Sequence, residues 1–209
     1  MPKIAPFEKY AEKYERWFEK NRWVYEAELR AVKAMVPPGG RGMEIGLGTG
    51  RFAEPLGVKN GVEPSKRMRE IAQKRGIGAL DGVAEKLPFE DSRFDFVLMV
   101  TTVCFVDDII KTLKEAHRVL SDGGFLIIGF VDRNSKMGKI YLELQKENVF
   151  YKEATFFSVD ELAECINHTG FTDLTFNQTV FGTLAETAQE EPVKAGYGEG
   201  SFVVVRARK

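Results

Sequence analysis

Gly42-Met43-Glu44-Ile45-Gly46-Leu47-Gly48-Thr49-Gly50 is the stretch on which the reading of this chain turns. Apolar residues lead into three alternating glycines, the pattern of a buried strand that hands over to a helix through a tight turn. Glycine supplies the positive-φ conformations such a turn requires. With no side chains in the way, a ligand can approach the main chain, and the N–H groups of the next segment are free to bind polar groups. A strand-to-helix turn that binds nothing would carry the same glycines. The spacing narrows the choice. A dinucleotide-binding turn reads G-x-G-x-x-G, so that helix and strand pack closely beneath a pyrophosphate. Here the order is Gly46-x-Gly48-x-Gly50, with Glu44 two residues ahead. A carboxylate there is a poor neighbour for a pyrophosphate and a good one for an ammonium group.

Glu44 to Gly50 match in full the motif E/D-x-G-x-G-x-G, and at this point the chain resembles the class I S-adenosylmethionine-dependent methyltransferases. The resemblance implies S-adenosylmethionine as cofactor, contacted through Glu44, Gly46, Leu47, Gly48, Thr49 and Gly50. Glu63 lies 13 residues after Gly50, at the end of the next predicted strand, and Pro64 follows it. An acid at that place in a doubly wound sheet accepts hydrogen bonds from ribose hydroxyls, and a solvated turn acid is the plainer alternative. Residues 84–89 read Ala84-Glu85-Lys86-Leu87-Pro88-Phe89 and resemble the family's G-D-A-E-x-L-P-F segment, whose aspartate contacts adenine. Val83 stands in place of that aspartate. Adenine is then left to the backbone near Ala84 and apolar contact, or to Asp81 or Glu85. Arg118-Val119-Leu120-Ser121-Asp122-Gly123-Gly124 resembles the family's R-V-L-x-P-G-G turn, with Asp122 replacing proline.

The flanks suggest where an acceptor would sit. Phe7, Tyr10, Ala11, Tyr14, Trp17 and Phe18 follow helical periodicity, with Lys9, Glu12, Lys13 and Glu15 facing away. Such an aromatic stripe is either core packing or a lid. Tyr14 to Phe18 resemble the Y-D/E-x-W segment of small-molecule members of the family, which places Tyr14 at the cofactor and Trp17 toward the acceptor. A second helix carries Tyr25, Leu29, Val32 and Val36 up to the Pro37-Pro38-Gly39-Gly40 stop. Residues 94–100 form the most apolar run and read as the central strand, with Met99 near its carboxyl end a further candidate cofactor contact. The loop after it holds Thr101, Cys104 and Phe105, and ligands bind at the carboxyl ends of parallel strands. Asp107 is the expected cap of the following helix, and His117 a partly exposed structural histidine. Ser158-x-x-Glu161 is a capping box.

These elements predict a doubly wound α/β domain with helices on both faces and an N-terminal helical lid. The resemblance adds a Rossmann-like, seven-stranded, mostly parallel sheet whose last strand is antiparallel. One domain spans 1–209: a helical cap to 39, the cofactor-binding core over 40–131, and acceptor-side helices and closing strands over 132–209. Thirty basic against 31 acidic residues give a net charge of −1, which offers a nucleic acid no electrostatic support. A small-molecule methyl acceptor is the partner expected, and no apolar run approaches the ~18 residues of a membrane span. Cys104 and Cys165 have no metal-type spacing and read as free thiols of a cytoplasmic protein. No triad, carboxylate pair or zinc set is visible, so no catalytic residue is singled out. A nicotinamide-dependent oxidoreductase and a non-catalytic protein that keeps the fold stand as alternatives.

Overall fold

The computed structural model describes residues 3–209; the first two residues of the N-terminal cap lie outside that range. The chain opens with three helices, α1 (Ala5–Lys9), α2 (Ala11–Lys20) and α3 (Arg22–Met35), before β1 (Gly42–Ile45). Asn21 separates α2 from α3, and its N–H closes α2 on the Trp17 carbonyl. Then come β2 (Asn60–Val62), α4 (Lys66–Lys74), β3 (Gly78–Leu80), β4 (Phe94–Val100), α5 (Ile109–Val119) and β5 (Leu120–Val131). The closing part holds α6 (Lys136–Glu143), α7 (Val159–His168), β6 (Thr172–Thr179), β7 (Lys194–Ala195) and β8 (Phe202–Arg208).

The sheet has eight strands in the order β3-β2-β1-β4-β5-β8-β6-β7, one more than expected. The addition is β7, two residues of the polar 182–201 connection that pair with Asn177 and Gln178 at the edge. Strands β1 to β5 run parallel, and β8 inserts antiparallel between β5 and β6. The order reverses between β1 and β4, and such a reversal leaves a crevice outside the carboxyl ends of the two strands.

Both faces of the sheet are covered, as the apolar run of β4 demands. Phe96, Leu98 and Val100 pack toward α3, against Val24, Ala27, Ala31 and Val32. Val97 and Met99 point to the other face, against Leu113 and Ala116 of α5 and Leu162 and Ile166 of α7. Helix α7 begins with the capping box: Ser158 accepts from the Glu161 N–H, and the Glu161 carboxylate accepts from the Ser158 N–H. The N-cap of α5 is Asp108 rather than Asp107; its side chain accepts from the Lys111 N–H at 2.9 Å. The strand–helix alternation is incomplete: residues 51–57 form successive turns instead of a helix, because Pro55 and Gly57 (φ +72°) leave no room for one. His117 packs edge-on against Phe171 with ring centroids 5.1 Å apart, as expected of a structural histidine.

Candidate functional site

The crevice at the β1/β4 reversal opens into a cavity of about 1330 Å³. Its floor is the glycine turn. Gly46, Gly48 and Gly50 have φ of +66°, +55° and +84°, where L side chains are strained. Gly46 and Gly48 line the cavity. A Cβ on Gly46 would overlap the Thr102 methyl, and one on Gly50 would overlap Ile77 Cδ1. The first and third glycines are thus required by close packing as well as by conformation. Leu47, Thr49 and Gly50 turn into the protein and do not line the cavity.

Glu63, just past β2, is 7% exposed and forms part of the wall. Its Oε2 accepts from the Gly48 N–H and its Oε1 from the Ser65 N–H, both at 2.9 Å. Burial pushes its pKa up to about 6, against the pull of those two N–H donors. The glycine turn and the carboxylate therefore hold each other in place, and each oxygen keeps a lone pair for a ligand. Glu44 lies behind the turn and does not line the cavity. It is 2% exposed, its Oε2 has no hydrogen-bond partner, and burial raises its pKa well above the ordinary carboxylate value.

Pro64, Ala84 and Glu85 continue the wall beside Gly82 and Val83. Of the acids near Val83, Asp81 turns away to Arg69 at 2.9 Å. Glu85 stays at the cavity, where its Oε1 accepts from the Asp107 and Asp108 N–H groups at 2.7 and 3.2 Å. Met99 is fully buried in the opposite face of the sheet. Thr101, Thr102 and Phe105 border the cavity, Thr101 with an unusual φ of +51°. Cys104 sits behind this wall, beside a second cavity of about 20 Å³, and burial pushes its thiol up to about 12.

The N-terminal helices form the roof. Tyr14 and Trp17 line the cavity, and the Tyr14 hydroxyl stands 3.3 Å from where a Gly48 Cβ would be. Phe7 packs edge-on against Phe105 at 4.9 Å and at a tilt against Phe150 at 5.4 Å. Beyond Phe105, Tyr151 stacks on it at 6.0 Å, and Tyr141 packs on Tyr151 at 4.9 Å. The roof is also pinned by charge. Glu15, expected at the solvent face, instead turns inward: it accepts from the Thr49 hydroxyl and pairs with Arg51 and Arg75, both at 2.7 Å. Burial raises the Glu15 pKa, but those partners outweigh it and hold the carboxyl below its ordinary range. Glu12 pairs with Arg67, and Glu8 accepts from the Ser65 hydroxyl at 2.6 Å.

Sequence reasoning missed Glu28, which lines the cavity together with Tyr141, Phe150 and Tyr151 of the aromatic-rich stretch 132–157, the second place where acceptor recognition was expected. Glu28 had a readable signal: with Tyr25, Leu29 and Val32 it completes the i, i+3, i+4, i+7 face of α3, a lone carboxyl on an apolar stripe. The aromatic residues of 141–151 come from a segment without strong periodicity, and only the tertiary fold brings them to the site. Among the described residues no group of acids, histidines or cysteines is placed to hold a metal ion, and no helix is long and apolar enough to cross a membrane.

A parallel sheet with a glycine turn and a buried acid at its reversal is the setting in which α/β domains bind cofactors. Comparison with known proteins makes the class definite. Residues 43–128 match the model of the family described as "Methyltransferase domain". The chain is 53% identical to a Thermotoga maritima protein whose crystal structure is described as an S-adenosylmethionine-dependent methyltransferase, "possible histamine N-methyltransferase"; the match covers 99% of both chains with a TM-score of 0.96. It is 46% identical to an uncharacterized protein of Methanocaldococcus jannaschii over 97% of this chain and 98% of that one. It is also 36% identical to the demethylmenaquinone methyltransferase of Chlorobaculum tepidum, over 58% of this chain and 53% of that enzyme. The chain belongs to the class I S-adenosylmethionine-dependent methyltransferases. Methyl transfer from S-adenosylmethionine is its activity, which decides against the nicotinamide and non-catalytic alternatives.

Proposed function

We propose that S-adenosylmethionine lies along the glycine turn and that a small organic acceptor enters the aromatic chamber under the roof. The cavity carries this reading. At about 1330 Å³ it exceeds the roughly 300–1,000 Å³ of single-ligand sites, and it runs without interruption from Gly48 and Glu63 to Tyr141 and Tyr151. Two ligands can therefore share it, as a transfer reaction requires.

The residues present fit this cofactor. Glu63 is held by two main-chain donors with lone pairs left for a ribose diol. Gly46 and Gly48 leave backbone bare, and Gly82, Val83 and Ala84 give adenine an apolar wall with main-chain groups. The unpartnered Glu44 Oε2 suits an ammonium group reached through water. Tyr14 closes over the turn. When bound, the cofactor supplies an electrophilic methyl group on a sulfonium that leaves as a neutral thioether. The chain's own task is to hold a nucleophile in line with that methyl group and to keep water out, which supplies most of the rate. The aromatic packing of Phe7, Phe105, Phe150 and Tyr151 does both.

A concave aromatic-lined chamber and a net charge of −1 support a small acceptor over a nucleic acid. Two unpaired cysteines support a reducing, cytoplasmic setting. Isothermal titration with S-adenosylhomocysteine, followed by a methyl-transfer screen over amines, phenols and quinones, tests the proposal. Failure of S-adenosylhomocysteine to compete with S-adenosylmethionine, or its unaltered binding to Glu63→Gln, would remove the assignment.

A further inference from the structure

Aromatic walls accept a quinone and an amine equally well, and one side chain separates the two. Glu28 on α3 is 6% exposed and lines the cavity. Among the described residues it has no hydrogen-bond or ion-pair partner, whereas Glu15, Glu63, Glu115 and Glu161 are all engaged. Its electrostatic reach includes Tyr14, Tyr141 and Tyr151, which places it inside the aromatic chamber. A buried carboxyl without a partner is unfavourable for the fold. A leucine would serve α3 packing better, so the position points to a ligand. The ligand that repairs the deficit carries a cation. Aromatic faces around the carboxyl favour the same charge.

We propose that the methyl acceptor is an organic amine and that Glu28 is its recognition group and proton acceptor. The proposal rests on the methyl-transfer reading above. The amine enters as an ammonium ion and pairs with the Glu28 carboxylate. Its N–H bond breaks as the proton passes to a carboxylate oxygen, which frees the nitrogen lone pair. The nitrogen then forms a bond to the methyl carbon as the carbon–sulfur bond breaks and its electron pair stays on sulfur. The products are a methylated ammonium ion, a neutral thioether and a protonated Glu28, which returns its proton to water. Charge balances: two cations and one carboxylate become one cation and a neutral acid. Burial pushes the Glu28 pKa up to about 8, which brings it within reach of an amine's proton.

The test titrates full-length wild type and Glu28→Gln with 2-phenylethylamine, histamine and hexylamine, each beside its matching alcohol and a neutral quinone. Each titration is run with and without S-adenosylhomocysteine. At least one amine should bind wild type tenfold or more tighter than its alcohol. Glu28→Gln should lose that preference at least tenfold while its affinity for S-adenosylhomocysteine changes less than twofold. A wild type that prefers alcohols or quinones, or a Glu28→Gln variant that keeps the amine preference, overturns the proposal. So does a variant whose S-adenosylhomocysteine affinity falls as far as that of Glu63→Gln, because Glu28 would then serve the cofactor. Absence of S-adenosylhomocysteine binding by wild type sinks the cofactor reading instead, and the titrations without it still judge the amine preference.

Discussion

Replacing Glu28 by Gln should stabilise the unliganded protein at pH 9 and leave it nearly unchanged at pH 5. Burial holds the Glu28 carboxyl protonated up to about 8 in the folded chain, against an ordinary value of 4.5. A group raised in the folded state contributes stability below its unfolded pKa and loses it as pH climbs through the folded one. The gap between 4.5 and about 8, at about 1.36 kcal/mol per pH unit, makes the loss about 5 kcal/mol. Glutamine has the same shape and no titration. Its amide is buried without a partner, as the protonated carboxyl is, so the two chains should melt together at pH 5. At pH 9 the variant should lead by on the order of 10 °C for a chain of this size. Calorimetry or fluorescence melting at pH 5, 7 and 9 reads the difference. A gap that stays constant across pH refutes the argument. A bound amine should narrow it by giving wild type the missing counter-ion.

Glu63→Gln should weaken S-adenosylhomocysteine binding about ten- to a hundredfold by titration, since charge-assisted bonds to a diol become neutral ones. Wild-type affinity should also fall as pH drops through about 6, where Glu63 takes up a proton, and a flat profile would count against the ribose role. Gly46→Ala should lower both melting temperature and cofactor affinity, because a methyl at φ +66° meets Thr102; the conformational part alone is about 1–3 kcal/mol. Glu15→Gln should loosen the roof, seen as faster proteolysis within residues 3–36 and faster S-adenosylhomocysteine release. Unchanged rates would show that the aromatic contacts alone hold it.

The sheet, the glycine turn and the acid beside it were legible because local chemistry specifies them. Glycines at alternate positions, an acid at the end of the next strand and a doubly apolar fourth strand are demands of the backbone and the core, and each has a sequence signature. The edge strand Lys194–Ala195 had none: two exposed residues that pair only because β6 offers a free edge carry no pattern. Glu15 was misplaced for a related reason. Helical periodicity puts it off the aromatic stripe, but it cannot show that Thr49, Arg51 and Arg75 converge there from three other segments. The acceptor chamber is assembled from α2, α3, the loop after β4 and residues 141–151. Residues so far apart in sequence share no spacing rule.

Charge explains why a cavity of this kind suits a sulfonium cofactor. Glu44, Glu63 and Glu28 are all nearly buried in or behind the cavity, and none forms an ion pair with a buried cation of the protein among the described residues. A pyrophosphate brought among them would oppose their ionisation further in a poorly screened space and supply none of the missing counter-charge. S-adenosylmethionine brings a sulfonium and an ammonium, and an amine acceptor brings a third cation, so ligands would supply the missing counter-charges. The acids that are costly to the empty fold then favour the loaded site, where each lowers its free energy only when its partner is in place. Methyl transfer removes one of those positive charges as the sulfonium becomes a thioether.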